Sequence, residues 1–178
     1  MFSKNTLKVI EFFARHRTEK FNINQLARTL KISPGSSHTI LKELEENTIV
    51  RYEKWGNQLF YQLNLEDKKA RKLVELVLII DKEQREKGAF RDLEKIDADC
   101  IVVFDKLQKS TLALIIAEKI LHEKIKAKLP ANVDPIILTL DDAKEKLRSK
   151  EKTIVQLLES GIVLEGENIV VEVMAGVQ

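Results

Sequence analysis

The chain has 178 residues, 44% of them hydrophobic and 33% charged, with 30 Lys and Arg against 28 Asp and Glu for a net charge of +2. That length suffices for one large or two small cores, and the balance of apolar and charged residues excludes a disordered chain. No apolar run reaches the length of a membrane span, Lys4, Lys8 and Glu11 interrupt what would be a signal peptide's apolar core, and the single cysteine, Cys100, excludes a disulfide framework.

Asn5–Arg15 opens the chain with Leu7, Val9, Ile10, Phe12, Phe13 and Ala14 recurring at three and four residues, which predicts a core helix. Phe21 and Ile23 read as a short extended stretch. Leu26, Ala27 and Leu30 return to helical spacing, Lys31-Ile32 turn the chain, and Ser33-Pro34 supply an N-cap with proline at the first helical position. The helix that starts at Pro34 places Ile40, Leu41 and Leu44 inward. Its other side carries Gly35, Ser36, His38, Thr39 and Lys42, with no carboxylate before Glu43. Ile49–Lys54, the turn Trp55-Gly56-Asn57-Gln58 and Leu59–Leu63 then read as strand, glycine turn, strand.

The stretch ISPGSSHTILKELEENTIVRYEKWGNQLFYQLN resembles the winged helix-turn-helix domains of bacterial and archaeal transcription regulators, and the resemblance covers roughly residues 1–65. It implies a protein that binds double-stranded DNA, reading the major groove with the helix from Pro34 and touching the minor groove or backbone with the wing. Ser36, His38, Thr39 and Lys42 would then face base edges, Lys42 or Arg28 would take phosphate, and Arg51, Lys54, Trp55, Gly56 and Asn57 would supply the wing. Each also has a plain surface reading: His38 as a solvated or capping side chain, Trp55 as a ring folded back onto the core. Charge favours the binding reading, because residues 1–65 hold ten Lys and Arg against six acids, +4, while the remainder carries −2.

Glu66–Lys87 predicts a linking helix with apolar residues on more than one face, from Leu73 to Ile80, and Gly88 breaks it. The surplus apolar surface fits either a partner chain, making a homodimer, or burial within one monomer. Beyond it, Phe90–Ile96 reads as a short helix, Asp99–Phe104 and Thr111–Ala117 as buried strands, Glu118–Leu129 as a helix stopped by Pro130, and Pro135–Leu140 as a third strand. Helices from Asp141 to about Arg148 and from Glu151 to Glu159 follow, the first capped by Thr139 or Asp141 and the second ended by Gly161 as a C-cap glycine. Ile162–Leu164 and Ile169–Met174 close the chain as two extended segments, or as a strand and an unravelled helix.

The segments IVVFDKLQKSTLALIIA and VDPIILTLDDAKEKLRSKEKTIVQLLESGIVLEGENIV are similar to the small nucleotidyltransferases of the polymerase-beta type. In that family a Gly-Ser after the first strand lets the backbone approach a triphosphate, and two aspartates hold Mg²⁺. Here Phe104-Asp105 stands in place of Gly-Ser, and Thr111 and Ala113 in place of the aspartates. Neither side chain can bind a hard cation with compensating charge, so no nucleotidyl transfer is expected. Asp105 and Asp134 read as solvated loop carboxylates, and Lys106 and Lys109 as either phosphate contacts or surface lysines. Cys100 with His16, His38 and His122, scattered in sequence, makes no metal pattern.

The expectation is therefore an α+β protein: a winged helix-turn-helix over 1–65, a linking helix over 66–88, and a small α/β nucleotidyltransferase-like domain without catalytic residues over 89–178. It is read as a non-enzymatic, cytoplasmic transcription regulator, with no cofactor or metal and with room for a nucleotide or protein effector. The competing reading is a nucleotide-binding sensor or transferase-related protein that uses the second half.

Overall fold

The protein is described by a computed structural model covering residues 3–16, 19–86, 90–105 and 110–176, with Asp105 described in its backbone only. It is an α+β chain of two compact units, residues 1–77 and 78–177. The division falls inside the linking helix, α4, which spans Lys68–Arg85.

The first unit begins with α1 (Lys4–Arg15), whose N-cap Ser3 accepts a hydrogen bond from the Thr6 amide at 3.1 Å. Helix α2 (Ile23–Leu30) opens on a capping box, in which the Asn22 and Gln25 side chains each accept from the other's backbone N–H. Ile23 is thus helical rather than extended, because the box closes the first turn around it. Phe21 keeps the expected extended form and pairs with Tyr61 as an isolated antiparallel bridge.

Lys31, left-handed at φ 53°, turns the chain into α3 (Pro34–Glu46), where Ser33 Oγ accepts from the Ser36 amide and Pro34 takes the first helical position. Strands β1 (Val50–Trp55) and β2 (Gln58–Leu63) form an antiparallel hairpin over a two-residue turn. Gly56 there adopts φ +60°, which a side-chain-bearing residue enters at a cost. Val9, Ile10, Phe13, Leu26, Leu41, Leu44, Leu63 and Leu65 close the core, giving the helix, helix, turn, helix, hairpin order of a winged helix-turn-helix.

In the second unit β3 (Cys100–Asp105) and β4 (Thr111–Ile116) pair antiparallel. Strand β5 (Val133–Leu138) runs parallel to β4, and β6 (Ile162–Glu165) runs antiparallel to β3, so the sheet order is β5-β4-β3-β6. One face packs Ile101, Val103, Ala113 and Ile115 against Leu93, Ile96 and Ile125, the last from α5 (His122–Lys128). The other is covered by helices α6 (Leu140–Arg148), α7 (Lys152–Ser160) and α8 (Glu167–Ala175). With helices on both sides, every residue of β4 is buried, which explains its unbroken apolar run.

Several sequence expectations shift here. Residues 90–95 form successive turns rather than a helix, and the stretch before α5 is a single 3₁₀ turn, Lys119–Leu121. The chain closes with the regular helix α8 in place of an extended or unravelled segment. Gly161, by contrast, is the C-cap of α7 as expected, at φ −69°. Its requirement is space, since a Cβ there would lie 2.4 Å from the Leu157 carbonyl oxygen and 2.6 Å from Val102 Cγ1. The break expected at Gly88 lies outside the described residues. No helix among the described residues is long and apolar enough to cross a membrane.

Candidate nucleic-acid interface

Helix α3 is fixed from below and bare above. Ile40, Leu41 and Leu44 are buried, and so is Ser37, whose hydroxyl donates to the Ile23 carbonyl at 3.2 Å and ties the start of α3 to the start of α2. Ser37 is absent from the sequence-derived candidates, although its phase, shared with Ile40, Leu41 and Leu44, marks it as inward. On the opposite side Gly35, His38, Thr39 and Lys42 form an exposed row, with Ser36 exposed at its flank.

The two hydroxyls on that side are partly engaged. Ser36 Oγ accepts from Ser33 Oγ at 3.0 Å, and Thr39 Oγ1 donates to the Gly35 carbonyl at 3.1 Å. Ser36 keeps its own proton to donate and Thr39 keeps oxygen lone pairs to accept, so each can still meet one kind of base-edge group. The Lys42 ammonium lies 3.9 Å from Glu46, both side chains 65% exposed, a loose pair that a phosphate can replace. Glu46 shares the phase of this row one turn further on, so only the N-terminal half of the face is free of acid. Arg28, in the last turn of α2, is exposed as well.

The hairpin is less basic than its sequence reads. Arg51 bonds Glu66 at 3.0 Å, and with the Gln62 amide turned so that its oxygen faces Arg51, that oxygen lies 2.8 Å from Nε. Arg51 thus clasps the base of the wing through Glu66 and Gln62. Glu53 is held at 2.7 Å by Lys20, whose hydrogen bond keeps that carboxyl below its usual range. Lys54 and the Gly56-Asn57 tip stay exposed. Trp55 does not fold into the core: it lies against the Phe60 ring at 4.9 Å between centroids, under the Lys20 ammonium at 5.3 Å, and remains 55% exposed. Lys20, unremarked in the sequence, joins the wing through these two contacts; only the tertiary fold shows it.

In the second unit Ala113 is fully buried within the apolar cluster and Thr111 is buried on the same strand. Asp134, expected in a loop, lies exposed on β5. The Asp105 side chain, Lys106 and Lys109 lie outside the described residues. Burial pushes the Cys100 thiol far above its usual range, with the nearby Glu167, Asp99 and Glu165 carboxylates adding to the shift, so it is an inert core group. Among the described residues no three His, Cys, Asp or Glu side chains gather where they could hold a metal ion.

No protein-family model and no curated protein matches the chain. Among solved structures it is similar to a C30AH42A mutant of ZitR from Lactococcus lactis, at 18% identity and a TM-score of 0.37, over 53% of this chain and 62% of that one. That likeness is too distant to carry an inference.

Proposed function

We propose that the first unit binds double-stranded DNA and that the protein is a transcription regulator. The observation that carries this reading is the exposed side of α3, free of acid before Glu43, with Gly35, Ser36, His38, Thr39 and Lys42 on a helix anchored by Ser37. A major groove admits one helix, and small polar side chains let its backbone come close while leaving groups that reach base edges. Arg28 and Lys42 would contact phosphate, and Lys54, Trp55, Gly56 and Asn57 would lie along the backbone or minor groove. The regulator would act as a homodimer, presenting two such helices about one DNA turn apart on a near-palindromic site.

The second unit serves as a partner or effector module without nucleotidyl transfer. Support comes from Ala113, whose methyl group sits in a dry core where that chemistry would need a solvated carboxylate. The test is a gel shift at low salt with Lys42→Glu. Loss of binding with an unchanged circular dichroism spectrum supports the reading, and undiminished affinity overturns it.

A further inference from the structure

The hairpin contains one acid, and the partner of that acid decides the sign of the wing. Residues 50–63 hold three charged side chains, Arg51, Glu53 and Lys54. Arg51 is engaged by Glu66 at 3.0 Å. With Glu53 left bare, the charge of Lys54 would be cancelled one residue away, and the hairpin would offer a phosphate no net attraction.

Lys20 prevents this. The bridge between Phe21 and Tyr61 sets the stretch before α2 beside β2, with the Phe21 ring turned to Phe12 and Phe13 of α1 at 4.7 and 6.2 Å between centroids. Alternation along an extended chain turns Lys20 to the opposite side of the sheet. There its ammonium reaches past β2 to Glu53 of β1 at 2.7 Å and stands 5.3 Å from the centroid of the Trp55 ring. The Glu53 side chain is nearly half exposed, and an ion pair so placed adds little to stability. What it changes is the field around the tip: Lys20, Glu53 and Lys54 together leave one positive charge, and without Lys20 they leave none. We infer that Lys20 is a positioning residue for DNA binding, one that acts by neutralising Glu53 so that Lys54 and the Gly56-Asn57 tip can meet a phosphate backbone without an opposing carboxylate. The inference rests on the DNA reading above and adds to it a residue outside both α3 and the hairpin.

Anisotropy of a labelled duplex titrated with the full chain at low salt tests it, alongside the emission of Trp55, the single tryptophan of the chain. Lys20→Met should weaken binding roughly five-fold and change the Trp55 emission as the cation leaves the ring, with the circular dichroism spectrum unchanged. That loss should shrink as salt rises. Glu53→Gln alone should strengthen binding about two-fold, since it removes the acid and frees Lys20. Lys20→Met combined with Glu53→Gln should return the affinity to within about two-fold of wild type. A Lys20 that met phosphate itself, or that merely braced the hairpin, would not be rescued by the second change. Wild-type affinity or unchanged Trp55 emission in Lys20→Met, a double variant as weak as Lys20→Met, or weaker binding by Glu53→Gln alone would overturn the inference and leave the DNA reading standing. No duplex binding by the wild type at low salt would overturn both.

Discussion

Helix α3 and strand β4 treat their chemistry in opposite ways, the helix with one side buried and one exposed, the strand buried throughout. On α3 the residues with hydrogen-bonding and charged groups, Ser36, His38, Thr39 and Lys42, are exposed, and the contacts they make are local or loose. On β4 the only side chain with a hydrogen-bonding group is that of Thr111, and it is buried along with Ala113. One element is held rigid by its back and left open at its front, as a binding surface must be. The other is enclosed on both faces and serves packing.

The sharpest way to break that comparison is Ala113→Asp. If the strand is purely structural, a carboxylate placed in the cluster with Val103 and Ile115 meets no compensating partner and should cost about 4 kcal/mol or more, read as a lowered urea midpoint. Tolerance of that change would mean the position is wetter than its burial indicates. Next is Gly166→Ala. Gly166 sits at φ +79° with the Asp99 carbonyl oxygen 2.2 Å and Cys100 Cα 2.7 Å from where a Cβ would stand, so the change should cost about 3 kcal/mol. Neither variant touches α3, and DNA affinity measured below the unfolding range should stay at the wild-type level.

On the first unit, Ser33→Ala removes the cap of α3 and should cost about 1 kcal/mol in thermal unfolding. The smallest effect expected is on the pH slope of stability. Asp67 accepts from the Thr48 hydroxyl first, and from the Lys69 and Ala70 amides, all of which hold its carboxyl below the usual range. A lowered folded-state value contributes stability that is present above the ordinary carboxylate range and is lost as pH falls through the folded value. Thr48→Ala should therefore flatten the acid side of the urea-midpoint profile.

What could be read from the sequence was local. Ser33-Pro34 specifies a helix start through one side-chain oxygen and one fixed φ, and the apolar strands flanking Gly56 specify a hairpin; both appear where expected. The exposed row on α3 followed from phase alone. What escaped depends on residues far apart in the chain. Arg51 and Lys54 look alike in a charge count, yet Arg51 is taken up by Glu66 and Gln62 while Lys54 is left in water. Lys20 reaches Glu53 and Trp55 across more than thirty positions. Gly161 caps its helix as expected, but the close approach of Val102 and Leu157 that makes glycine necessary there is set by the tertiary fold.

The central claim is that the open side of α3 meets a DNA backbone and groove, and it is tested most directly by the salt dependence of duplex binding. Fluorescence anisotropy of a labelled random duplex, titrated with the full chain at several salt concentrations, should show log affinity falling linearly with log salt. Lys42→Ala should reduce the slope by about one. Absence of binding at low salt, or an affinity that neither salt nor Lys42 alters, would contradict the account.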